Sequence, residues 1–150
     1  MATVAKLKVK KIKEDAVIPE QQSKEAAGLD LAALENIRLL PTHVVKEAYK
    51  IRTGLEVEIP KGWHGEIHLR SSIGAKTKLR LANGTGIIDS DYRGELLLLV
   101  ENVGKYEAAI SAGQRIAQLV LIKDTPFEVV VTDTLSKTER GTGGIGSTGK

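Results

Sequence analysis

An all-β sandwich or barrel is the fold that this 150-residue sequence predicts, on three observations. Val, Ile and Leu gather in short bounded runs, a pattern that suits pleated, half-buried strands. Glycine and proline punctuate those runs at Pro41, Gly54, Pro60, Gly62, Gly84, Gly94, Gly104, Gly113 and Pro126, and short strands at such spacing indicate sandwich or barrel architecture. One tryptophan, one phenylalanine and three tyrosines leave the core to aliphatic side chains.

In chain order, the first expected strand covers residues 6–9, where Leu7 and Val9 alternate with lysines. Lysine guards a sheet edge against unwanted pairing, so this is read as an edge or outer strand. Further strands are expected at 29–32, 37–39, 44–52, 56–59, 66–70, 95–101, 116–122 and 128–131, each an aliphatic run bounded by a turn signal. One short helix is expected at 71–78, where the pair Ser71 and Ser72 could cap it. Residues 83–95 read as a hairpin whose bend displays Asp89 and Tyr92. A body of residues 1–136 is followed by a glycine-rich arm, 137–150. The arm holds Gly141, Gly143, Gly144, Gly146 and Gly149 behind Arg140. Glycine disfavours regular structure, so the arm is either a solvated terminus or a wrapper whose amides and guanidinium approach phosphate.

A chain of this length buries roughly 68–70% of its unfolded surface and stands as one domain. It has no cysteine, no long apolar run and no signal-peptide pattern, so cytoplasmic or another intracellular residence is expected, without membrane. Its 22 basic and 19 acidic residues are too balanced for bulk nucleic-acid binding. The three histidines are scattered, and a transition-metal site is not expected.

Three polar clusters carry chemistry. Arg70, Ser71 and Ser72 set a guanidinium and two hydroxyls after a strand, suited to an anion, although a helix cap accounts for the serines equally. Asp89 and Asp91 lie between glycine turns with Tyr92 and Arg93, where ordinary turn acids are the plain alternative. Gln114, Arg115 and Gln118 add two amides and a cation at a strand whose end could simply face solvent.

Five segments in order make the combination specific: AAGLDLAA at 26–33, RSSIGAK at 70–76, NGTGIIDSDYRGE at 83–95, GQRIAQL at 113–119 and RGTGGIGSTG at 140–149. On these the chain resembles the trimeric dUTPases (dUTP nucleotidohydrolases), over nearly its whole length. The resemblance implies a jelly-roll-like β trimer in which the arm of one subunit closes over a site shared with its neighbours. It implies hydrolysis of dUTP to dUMP and pyrophosphate, with water attacking the α-phosphorus and Mg2+ carried by the phosphates.

By that resemblance Asp89 orients and deprotonates the water, and Arg140 acts on the phosphates as an arginine finger. Arg70, Ser71, Ser72, Gln118, Ser147 and Thr148 would bind phosphate. Asn83, Gly86 and Ile88 would line the uracil pocket, Tyr92 would exclude ribose, and Ile145 with Gly146 would cover the base. Asp30 is expected to hold metal-bound water or Arg70, with no direct protein ligand to the metal. Relatives commonly carry an aromatic where Ile145 stands, so a weaker lid is expected. Two rival readings are a dCTP deaminase, whose glutamate would fall at Leu99, and a nucleotide-regulated protein-binding module.

Overall fold

The computed structural model describes residues 4–149 as ten strands and one short helix. Strands β1 (Lys8–Lys11), β4 (Tyr49–Glu58), β8 (Glu95–Asn102) and β6 (Leu79–Leu81) form one antiparallel sheet in the order β1-β4-β8-β6. Strands β2 (Leu29–Ala32), β10 (Arg115–Lys123), β5 (Trp63–Leu69) and β7 (Gly86–Ile88) form the second, in the order β2-β10-β5-β7. A two-stranded ribbon pairs β3 (Ile37–Leu39) with β9 (Ala108–Ile110).

The two large sheets face each other across one aliphatic core. Leu96, Leu98 and Val100 alternate inward along β8, and Leu31, Ile67, Ile116 and Leu119 meet them from the second sheet. Two polar side chains lie in this core, and both are satisfied. Thr53 Oγ1 donates to Leu96 O at 2.7 Å. Asn102 donates to Leu39 O and Tyr106 O and accepts from Gly104 N. Burial without such partners would cost about 1–3 kcal/mol per group.

β1 lies on the sheet edge, as its lysines predict, and Lys8 and Lys10 pair with Glu58 and Glu56. Elsewhere the strand boundaries are corrected. The expected break at Gly54 is a bulge inside one ten-residue strand, β4. Gly54 takes φ +69°, and its amide donates to Glu95 Oε1 at 2.8 Å while Arg52 Nε holds the same carboxylate. An internal carboxylate thus replaces the missing ladder bond. Residues 44–48 form no strand: 42–44 are a turn in which Pro41 O accepts the amides of Val44 and Val45, and irregular chain follows to Ala48. β6, β7 and β9 are three residues each, too short for periodicity to reveal.

Two further expectations fail for lack of a partner strand. Residues 128–131 form no strand, and Val129, Val130 and Val131 stand exposed. Segment 83–95 is not a simple hairpin, because β7 pairs with β5 in one sheet while β8 pairs with β4 and β6 in the other. It crosses the sandwich.

Candidate active site

β5 ends at Leu69, and the Arg70 amide continues its pairing by donating to Ile116 O at 3.0 Å. Arg70 is itself the N-cap residue of helix α1 (Ser71–Lys76), with no side-chain capping bond. The serines therefore do not cap the helix; they lie within its first turn. Among the described residues neither hydroxyl has a hydrogen-bond partner, so both are available to a ligand.

Asp30, on β2, is mostly covered, with its side chain 13% exposed. Its Oδ2 meets Arg70 Nε at 3.2 Å and Arg115 Nη1 at 3.2 Å, and Arg70 Nη1 also donates to Arg115 O. One carboxylate oxygen thereby orients two guanidiniums. A guanidinium has five N–H donors, so most of those on Arg115 and some on Arg70 remain for an anion. The sequence marks Arg115 as a cation of the Gln114–Gln118 cluster but gives it no partner; the structure supplies one in Asp30.

The strand register brings Gln118 to this group. Gln118 lies opposite Asp30 on one side and opposite His68 on the other. Directly opposed residues point to the same face of a sheet, and the neighbouring row, Leu119 with Ile67, is buried in the core. Asp30, Gln118 and His68 consequently share the outer face. Glycine at position 28 leaves room for the amide, since a Cβ there would stand 2.7 Å from Gln118 Oε1.

The crossing segment supplies the second group. Asn83 is exposed at the turn before β7, while Gly86 is buried opposite Ile67 and Ile88 lies opposite Gly65. Asp89 is exposed, its carboxylate has no partner among the described residues, and its carbonyl accepts from Tyr92 N. Tyr92 is not a core residue: it is 42% exposed, and its hydroxyl donates to Glu95 O at 3.0 Å. A cleft of about 790 Å³ is lined by Asp89 with Trp63, Lys61 and Arg93, and reaches none of Asp30, Arg70 or Gln118.

The arm forms the third group, and among the described residues its hydrogen bonds are all within itself. Arg140 Nε donates to Gly143 O at 2.8 Å, and Ser147 N donates to Gly144 O. Ile145, Gly146, Ser147 and Thr148 are exposed, Ile145 fully so. Lys150, the last residue of the arm, lies outside the described residues. Within one chain, then, the outer sheet face gathers Asp30, Arg70, Arg115 and Gln118, and Ser71 and Ser72 follow Arg70 on α1. The strand pairing of β5 with β7 connects them to the second group, and among the described residues Arg140 has no hydrogen bond or ion pair to either.

Along the same outer face of β5 runs a hydrogen-bonded chain. Asp124 Oδ1 lies 2.7 Å from His64 Nδ1, His64 Nε2 lies 3.4 Å from Glu66 Oε1, and Glu66 Oε2 lies 2.8 Å from His68 Nε2. The hydrogen bond that His64 gives to Asp124 raises the His64 pKa above its ordinary value, against burial, which lowers it. Hydrogen bonds from His68 and then His64 hold the Glu66 carboxyl below its ordinary range. Among the described residues no three His, Cys, Asp or Glu side chains are grouped to hold a metal, and no helix is long and apolar enough to cross a membrane.

A family model described as dUTPase matches residues 14–149. The deoxyuridine 5'-triphosphate nucleotidohydrolase of Nautilia profundicola is 43% identical over 97% of this chain and 99% of its own length. That of Treponema denticola is also 43% identical, over 93% of this chain and 95% of its own. Among solved structures, the Staphylococcus bacteriophage 80alpha dUTPase with dUPNHPP superposes with a TM-score of 0.86 at 30% identity, covering 97% of this chain and 99% of that one. A mutant dUTPase from phage phi11 of S. aureus, solved with a structural Mg(II) ion, has a TM-score of 0.77 at 27% identity, covering 86% of this chain and 97% of that one. Matched from residue 14 to residue 149 and sharing its jelly-roll sandwich with solved members, this chain belongs to the dUTPase family.

Proposed function

We propose that dUTP hydrolysis by this enzyme, which yields dUMP and pyrophosphate, proceeds by water attack on the α-phosphorus directed by Asp89. The observation that carries this reading is the outer-face group, in which Asp30 holds two guanidiniums on the face it shares with Gln118. A loose phosphoryl-transfer transition state calls for such spread positive charge and fixed donors. Arg70, Ser71, Ser72 and Gln118 bind the triphosphate. Asp89, exposed and unpartnered, takes the proton as the water oxygen bonds to phosphorus and the α–β bridging bond breaks toward pyrophosphate. A carboxylate is a weak base at neutral pH, so its position matters as much as its basicity.

Asn83, with the backbone about Gly86 and Ile88, receives uracil, and a close-fitting backbone pocket rejects thymine's methyl by collision. The Tyr92 ring, fixed by its hydroxyl bond to Glu95 O, closes the space a ribose hydroxyl would need. Magnesium, where bound, neutralises phosphate charge. The donor set fits a metal brought by the substrate, because Asp30 is already engaged by two arginines and no protein cluster is offered among the described residues.

The enzyme works as a homotrimer, with the arm of residues 137–150 laid over a site built by its neighbours. Support comes from exposure: from Asp124 to Thr148 only Gly143 is partly covered, although the segment carries Phe127, Val131 and Leu135. The stretch between Asp124 and Arg140 spans up to about 50 Å when extended, enough to reach another subunit.

Deamination of dCTP and a purely regulatory binding role are not favoured, since the relatives are dUTP nucleotidohydrolases. Pyrophosphate release from dUTP, dTTP, dCTP and UTP tests the assignment. Turnover of dUTP alone is expected, and Asp89→Asn should lower kcat by about 10²–10⁴-fold. Equal turnover of all four would overturn the specificity argument, and undiminished Asp89→Asn activity would overturn the mechanism.

A further inference from the structure

The chain Asp124–His64–Glu66–His68 belongs to no part of the mechanism above, yet its last member lies within the phosphate-facing row. His68 is directly opposite Gln118, which places their Cβ atoms about 4.5–5.5 Å apart. Two residues further along β5's path stands Arg70, on the same outer face through its contact with Asp30. On the other flank, Gly86 of the nucleoside-reading segment pairs with Ile67, the residue before His68. The imidazole therefore sits between phosphate-binding residues and the uracil segment, with its side chain 40% exposed.

Its orientation is held. Glu66 engages Nε2 at 2.8 Å, and Glu66 is held in turn by His64. In the protonated ring, Nε2–H goes to Glu66, and Nδ1–H remains with a positive charge for an anion. Among the described residues Nδ1 has no partner.

We propose that His68 is a further triphosphate-binding residue, contacting the β- or γ-phosphate, and that Glu66 positions it. This rests on the assignment of Arg70 and Gln118 to the phosphates. It requires a signature specific to the phosphate chain, distinct from the nucleoside and from the chemical step.

Steady-state kinetics of His68→Gln, with inorganic pyrophosphate and dUMP as competing ligands, test it. The KM for dUTP and the inhibition constant of pyrophosphate should rise together about three- to tenfold. In the same variant, kcat and the affinity for dUMP should stay within about twofold of wild type. His68→Arg should restore much of the loss by returning a cation, and Glu66→Ala should raise KM in the same direction. A KM and pyrophosphate constant unchanged in His68→Gln would overturn the proposal, as would an equal loss toward dUMP. Arg70→Gln, run alongside, separates the two levels. If it raises KM while His68→Gln does not, only the role of His68 fails; if Arg70→Gln also leaves KM unchanged, the phosphate assignment fails and this inference with it.

Discussion

Three residues show how much a single side chain decides here. Asp30 sets two guanidiniums with one oxygen, so the positive end of the site is organised before any substrate arrives, which lowers the reorganisation that binding requires. Glu95 closes the crossing segment, but its carboxylate works on structure, accepting from the Gly54 amide and Arg52. Ile145 stands free at the arm's tip, and its exposure means that it has no structural duty in the isolated subunit. Base stacking on an aromatic contributes about 1–3 kcal/mol, whereas isoleucine covers without a π face. Ile145→Phe should therefore lower the KM for dUTP several-fold in steady-state assays; an unchanged or higher KM would remove the lid role.

At the scale of elements, the bulge in β4 and the polar chain on β5 make separate predictions. Alanine at position 54 would inherit φ +69°, and its Cβ would stand 2.8 Å from that of Ala16. Backbone strain alone costs about 1–3 kcal/mol, so Gly54→Ala should lower the unfolding free energy by at least that amount, read as a lower urea midpoint at an unchanged m-value. On β5, the raised His64 pKa makes its contribution to stability complete below about pH 6.5 and lost as pH rises through the folded-state value. Glu66 acts in the opposite sense. Its lowered pKa contributes above about pH 4.5 and is lost as pH falls through the folded-state value. In Asp124→Asn the His64 contribution falls away, so the gap in Tm from wild type should narrow as pH rises above about 6.5. A gap independent of pH would mean that the Asp124 contact is not the cause.

For the whole molecule, this chain forms a finished sandwich, and under the proposed reading neighbouring arms complete the site. The phosphate face and the crossing segment are built by strand pairing inside one chain, while the arm touches neither. Truncation after Lys137 should leave the trimer intact in sedimentation analysis and abolish turnover, because Arg140, Ser147 and Thr148 go with the arm. Full activity without residues 138–150 would reject the closing role. Loss of the trimer would instead assign the arm to assembly.

Reading the sequence recovered the β class and the edge position of the lysine-rich β1, because edge lysines and turn glycines act locally. It misplaced the β4 bulge, the three short strands and the course of residues 83–95, because those depend on which strand lies alongside. The serines show the same division. Their place beside Arg70 was legible, but their release from capping was not, since Arg70 takes the N-cap position itself. Arg115 and His68 went unassigned for a similar reason: only the register of β10 against β2 and β5 brings them to Asp30 and Gln118. By itself, then, the sequence determined which chemical groups this protein possesses and that aliphatic strands would carry them, since composition and local turn chemistry suffice for that. Only the tertiary structure decided which of them share a face, because a cross-strand neighbour is chosen by pairing between residues far apart in the chain.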